Sequence, residues 1–136
     1  MNLEVYSPHH IEAFLLNYET LVKELAEVAA DWPSLDREER SHHEAVLLQT
    51  WGNRKVLGLL YQAHRLSQTQ EDYLAELDRL LLEQAPLMAQ CYGFDLSRLL
   101  AIFRWGTPLS SSTQTLHLEV DPALLDRMAT ALAPST

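Results

Sequence analysis

Arg54, Lys55, His64 and Arg65 bring two kinds of chemistry into one stretch: fixed positive charge, and an imidazole that can donate a hydrogen bond. Residues 45–68 hold these cations and no Asp or Glu, in a chain whose net charge is −9. Guanidinium and ammonium groups with no acid beside them in sequence suit an anionic contact. The plainer alternative is that Arg54, Lys55 and Arg65 meet carboxylates of neighbouring helices or face water. His64 follows Leu60 and Tyr61 by one turn, which suits a half-buried donor facing an anion, or a histidine satisfied in place. Trp105, beside Gly106 at an expected helix end, is the aromatic best placed to anchor an interface.

Other constellations carry less. Glu39 and His42 have the Glu-x-x-His spacing that puts both groups on one helix face, as in di-iron bundles. Such a centre needs a second pair, and Tyr61 stands three residues before His64 where the second Glu would be. His9, His10, His42 and His43 read as solvated, and His117 falls on the polar side of a strand pattern. Arg37 and His42 suit joint action on an RNA phosphate, but Glu38 between them and the acidic surroundings would repel the polymer. Cys91 precedes Tyr92 and Gly93 at an expected helix C-terminus, where the dipole opposes thiolate formation, so it reads as a packed thiol. The chain lacks a glycine-flanked serine elbow, a GxxxxGK[ST] loop and a GxGxxG turn. Nothing in it names a catalytic group, a metal or a cofactor.

With 136 residues, 47% of them hydrophobic, the chain suits one domain spanning 1–136. A single cysteine excludes an internal disulfide and fits the reducing cytoplasm. Nineteen acids against ten bases disfavour nonspecific binding to nucleic acid or an anionic membrane surface. The start, MNLEVYSPHH, has no basic-then-apolar leader, and no uncharged run approaches the ~20 residues of a membrane span. Neither export nor membrane insertion is expected.

Apolar residues at Ile11, Phe14, Tyr18, Leu21, Leu25 and Val28 predict a first helix over about 8–30. Ser7 and Pro8 open it, and Pro33 is expected to force Trp32 out of helical geometry. A second helix, about 35–66, is capped by Ser34 or Asp36, and its stripe runs in phase through Gly52. Gly52 and Gly58 each cost ~1 kcal/mol of helix propensity, which implies close backbone packing or a break after Trp51. Thr69 and Asp72 form a capping-box pattern for a third helix over about 69–91, with a kink or restart at Pro86 before Gly93 closes it. A fourth helix, about 95–105, starts from Asp95 and stops at Gly106 and Pro108, followed by a linker, 107–114. Residues 115–120 alternate as a strand before a last helix over 122–133. Leu3, Glu4 and Val5 before Ser7 and Pro8 echo Leu118, Glu119 and Val120 before Asp121 and Pro122, so residues 2–6 are expected to pair with 115–120.

These elements predict an all-α bundle of four to five helices with at most a minor two-stranded ribbon. Its apolar stripes show no polar cluster, so the interior is expected to hold no ionisable machinery. Function is then expected at the surface: a cytoplasmic interaction or regulatory module, homo-oligomeric, that presents a helix face or the Leu116–Val120 edge to a protein partner. It should touch neither nucleic acid nor membrane directly. Two alternatives remain. One is a helical bundle that binds a small molecule or metal, catalytic in one version, using Arg54, His64 and a pocket under Gly52. The other is an acidic inhibitor whose first and third helices mimic nucleic-acid charge.

Overall fold

The computed structural model describes residues 2–94 and 96–111. The two long helices begin where short polar side chains precede them. Ser7 Oγ accepts from the His10 N–H and the His10 ring accepts from the Ser7 N–H, which with Pro8 opens α1, Pro8–Asp31. Asp36 and Glu39 exchange the same pair of bonds, at 2.8 and 3.3 Å, to open α2, Arg37–Gln62. Of the two expected caps, Asp36 is the one used.

Trp32 stays in right-handed helical geometry (φ −49, ψ −45), contrary to expectation, and leads a 3-10 turn, Trp32–Ser34. Pro33 sits in the first turn of that segment, where its missing N–H has no intrahelical partner to lose. Arg40 closes the exposed end by donating from Nε and Nη2 to the Trp32 carbonyl, at 3.1 and 2.7 Å. At its far end α2 stops at Gln62, short of the expected Leu66. His64 takes the left-handed conformation (φ 58), and the His64 and Arg65 N–H groups return to the Tyr61 and Leu60 carbonyls, a Schellman closure that ends the helix.

The expected helix over 69–91 is two helices, α3, Gln68–Glu83, and α4, Ala85–Tyr92. Pro86 cannot donate to the Leu82 carbonyl, so the chain breaks at Gln84 and restarts with Pro86 in the first turn. The capping box that starts α3 is Ser67 with Gln70, two residues before the Thr69–Asp72 pattern, because Ser67 is the residue held extended (ψ 163). Gly93, with φ +65, closes α4 as expected. Next come α5, Leu96–Phe103, and the short α6, Pro108–Ser111, which winds part of the expected linker into a turn.

Leu3–Val5 form a 3-10 turn instead of a ribbon strand. Asn2 accepts from the Glu4 N–H and the Tyr6 N–H returns to Leu3, so local bonds use the groups that strand pairing would need. The strand over 115–120, the helix over 122–133 and the Asp95 cap lie outside the described residues.

The fold is all-α. Helix α1 packs against α2, α3 and α4, while α5 covers α2 and α6 covers α3. Leu15, Val22 and Leu25 of α1 meet Leu57 and Leu60 of α2, Leu74, Leu77 and Leu81 of α3, and Met88 of α4 in one apolar core. Each such burial stabilises by about 2 kcal/mol. Gly58 is the point of closest approach: a Cβ there would lie 2.9 Å from the Gly106 carbonyl oxygen, so α2 meets the α5–α6 corner backbone to backbone. Gly52 behaves differently, with no heavy atom within 4 Å of a built Cβ, and α2 runs through it unbroken. Among the described residues, no helix is long and apolar enough to cross a membrane.

Candidate functional site

Arg54 and Lys55 are consecutive on α2, hence about 100° apart around its axis, and they part company: one enters the core, the other stays outside. Arg54 is 0% exposed, as is Asp78 of α3. Nε donates to Asp78 Oδ1 at 3.0 Å and Nη2 to Oδ2 at 2.8 Å, a bidentate pair. The Tyr18 hydroxyl donates to Oδ1 at 2.7 Å, and the Thr107 hydroxyl donates to Oδ2. Four donors thus fill the lone-pair positions of one carboxylate.

Arg54 Nη2 also donates to the Gly106 carbonyl at 2.8 Å, and its guanidinium lies 5.5 Å over the Phe103 ring. Burial pulls the Arg54 guanidinium down, but Asp78 and then Tyr18 overcome this and hold it above its ordinary range. Burial, and next the Asp78 carboxylate, push the Tyr18 phenol well above its usual value. Arg54 Nη1 and Trp51 Nε1 are buried with no acceptor among the described residues.

The expectation of an interior without ionisable groups is therefore corrected. A guanidinium, a carboxylate, a phenol and a hydroxyl from α1, α2, α3 and the α5–α6 corner meet in the core. The signal was in the spacing. Asp78 stands at the i+4 place of the buried face Leu74, Leu77, Leu81, Leu82, and Arg54 occupies the corresponding place after Leu47 and Thr50. A charge in a core position of two different helices, with opposite signs, marks a buried pair.

The pair has an external consequence. Through Gly106 and Thr107 it fixes the corner that carries Trp105, and Trp105 meets Lys55 on the outer surface. The Lys55 ammonium lies 4.1 Å from the centroid of the indole, a cation–π contact. Trp105 remains 42% exposed, and Lys55 has no carboxylate within ion-pair distance among the described residues. Leu3 and Leu59 complete a slot of about 320 Å³ with them. Its apolar walls and unpaired cation suit an apolar side chain with a carboxylate beside it.

His64 and Arg65 lie elsewhere, both exposed at the far end of α2, about 15 Å along the axis from Arg54. His64 serves the backbone turn rather than a half-buried anion contact. Glu39 is engaged in its capping box, and burial pushes the Cys91 thiol up. A second, more polar groove of about 270 Å³ runs between α1 and α2, where Asn17, Gln49 and Asn53 line it beside Thr20 and Thr50. Both hydroxyls there donate back to their own helix, to Leu16 and Val46. Among the described residues, no three His, Cys, Asp or Glu side chains converge as a metal site. No protein-family model, curated protein or solved structure matches this chain.

Proposed function

We propose that this protein is an interaction module of the cytoplasm, homo-oligomeric, that works by docking polypeptide surfaces on the outer face of α2 and on Trp105. The observation that carries this is the Lys55–Trp105 pair over the Leu3–Leu59 slot, an aromatic anchor and an unpaired cation held outward by the buried ion pair behind them. The described interior supports the same view, since the four donors on Asp78 leave its carboxylate no free position for a substrate.

The test compares a tagged wild-type chain with Trp105→Ala and Lys55→Glu, using Lys23→Ala on the exposed surface of α1 as a control. A protein recovered with the wild type is identified, purified and titrated. Loss of the aromatic anchor should weaken that complex by roughly ten- to thirtyfold, with Lys23→Ala unchanged. Equal affinity for all four chains would sink the proposal.

A further inference from the structure

Gly52 sits in the middle of α2, exposed, in ordinary helical conformation, with open space where a Cβ would stand. Nothing inside the chain calls for glycine there. Leu48, one turn earlier on the same side, is 65% exposed, and Lys55 and Leu59 follow one and two turns later. Positions 48, 52, 55 and 59 are an i, i+4, i+7, i+11 series, a single seam along the helix. Along that seam a projecting leucine is followed by a bare patch of backbone and then by the slot between Leu3, Leu59 and Trp105.

Turned end over end about Gly52, this seam is complementary to itself. Position 48 of one copy then faces the gap between 55 and 59 of the other, and bare backbone meets bare backbone at the crossing. Charge follows the same polarity. Residues 36–44 carry Asp36, Glu38, Glu39 and Glu44 against Arg37 and Arg40, whereas residues 45–65 contribute Lys55 and Arg65 once Asp78 has neutralised Arg54. Glu44 and Arg65 are exposed and have no ion-pair partner among the described residues. Antiparallel pairing lays the acidic half of each α2 on the basic half of the other, while parallel pairing would oppose like charges.

We propose that a second copy of this chain docks on α2, antiparallel, with the helices crossing at Gly52 and Leu48 of each copy seated in the Leu3–Leu59–Trp105 slot of the other. The inference rests on the outer face of α2 being a docking surface and names its occupant.

Sedimentation velocity across micromolar to millimolar concentrations should show a monomer–dimer equilibrium. Leu48→Glu alters an exposed side chain, so it should keep the wild-type melting temperature at low concentration while raising the dimer Kd by roughly tenfold or more. Gly52→Ala should likewise weaken the dimer while making the dilute monomer melt higher, a separation that a purely internal role for Gly52 would not produce. A mixture of Leu48→Cys and Lys55→Cys chains should oxidise to a mixed disulfide, with little bridge from Leu48→Cys alone. A monomer at every concentration, a dimer indifferent to Leu48→Glu, or efficient bridging of Leu48→Cys to itself would each overturn the inference. The broader docking proposal is judged separately, by whether Trp105→Ala weakens the partner complex.

Discussion

Replacing Asp78 with Asn keeps the side chain's shape but removes the charge on which the Arg54, Tyr18 and Thr107 donors converge. Arg54 would remain buried and positive with no counter-charge, which costs about 3–5 kcal/mol; urea unfolding of Asp78→Asn should show that loss. The double change Arg54→Met with Asp78→Leu should recover only part of it, because it avoids the desolvation of both ions but leaves the buried Tyr18 and Thr107 hydroxyls and the Gly106 carbonyl without their partners. His64 offers a gain instead. Its left-handed backbone suits glycine, so His64→Gly should stabilise by about 0.5–1 kcal/mol in the same assay. The tyrosines set the alkaline limit. Burial, with Glu19 for Tyr73 and with Cys91 and Glu44 for Tyr92, raises both phenols to about 12, and Tyr18 is also raised. A raised folded value favours the protonated form, so this contribution is intact below the unfolded phenol value of 10.0 and is lost as pH climbs through about 12. Thermal melts followed by circular dichroism should fall across that window, in step with tyrosinate absorbance.

Two glycines of α2 should respond to the same substitution with opposite signs. A methyl on Gly58 would press into the Gly106 backbone 2.9 Å away, where neither helix nor corner can give without disturbing the Arg54 contact, so Gly58→Ala should destabilise by about 2–3 kcal/mol. A methyl on Gly52 meets nothing, and Gly52→Ala should stabilise the dilute monomer by about 1 kcal/mol through helix propensity alone. The contrast shows how far periodicity reaches. Both residues lie in phase with an amphipathic helix, and local pattern gives them the same cost. What separates them is the presence of a second backbone beside one and its absence beside the other.

The Arg54–Asp78 cluster joins α1, α2, α3 and the α5–α6 corner, so the described residues should unfold as one cooperative unit. Far-UV circular dichroism and tryptophan fluorescence should give coincident urea transitions for the native chain. In Thr107→Val, which removes one donor and the Leu109 N–H acceptor without adding bulk, the fluorescence change should precede the dichroism change as the Trp105 corner loosens.

From the sequence alone came the two long helices, the Ser7 cap, Asp36 as one of two candidate caps, an interruption at Pro86 and the Gly93 stop, because each depends on residues within a turn or two of one another. Leu3–Val5 misled for the same reason: three residues can wind or extend equally well until a neighbour such as Asn2 captures an N–H. The spacing puts Arg54 on the buried face of α2 and Lys55 beside it, but only tertiary structure decided that a guanidinium could stay there. The partner that makes burial of a guanidinium tolerable stands 24 residues away on another helix, and no local period records which charges of different helices will meet.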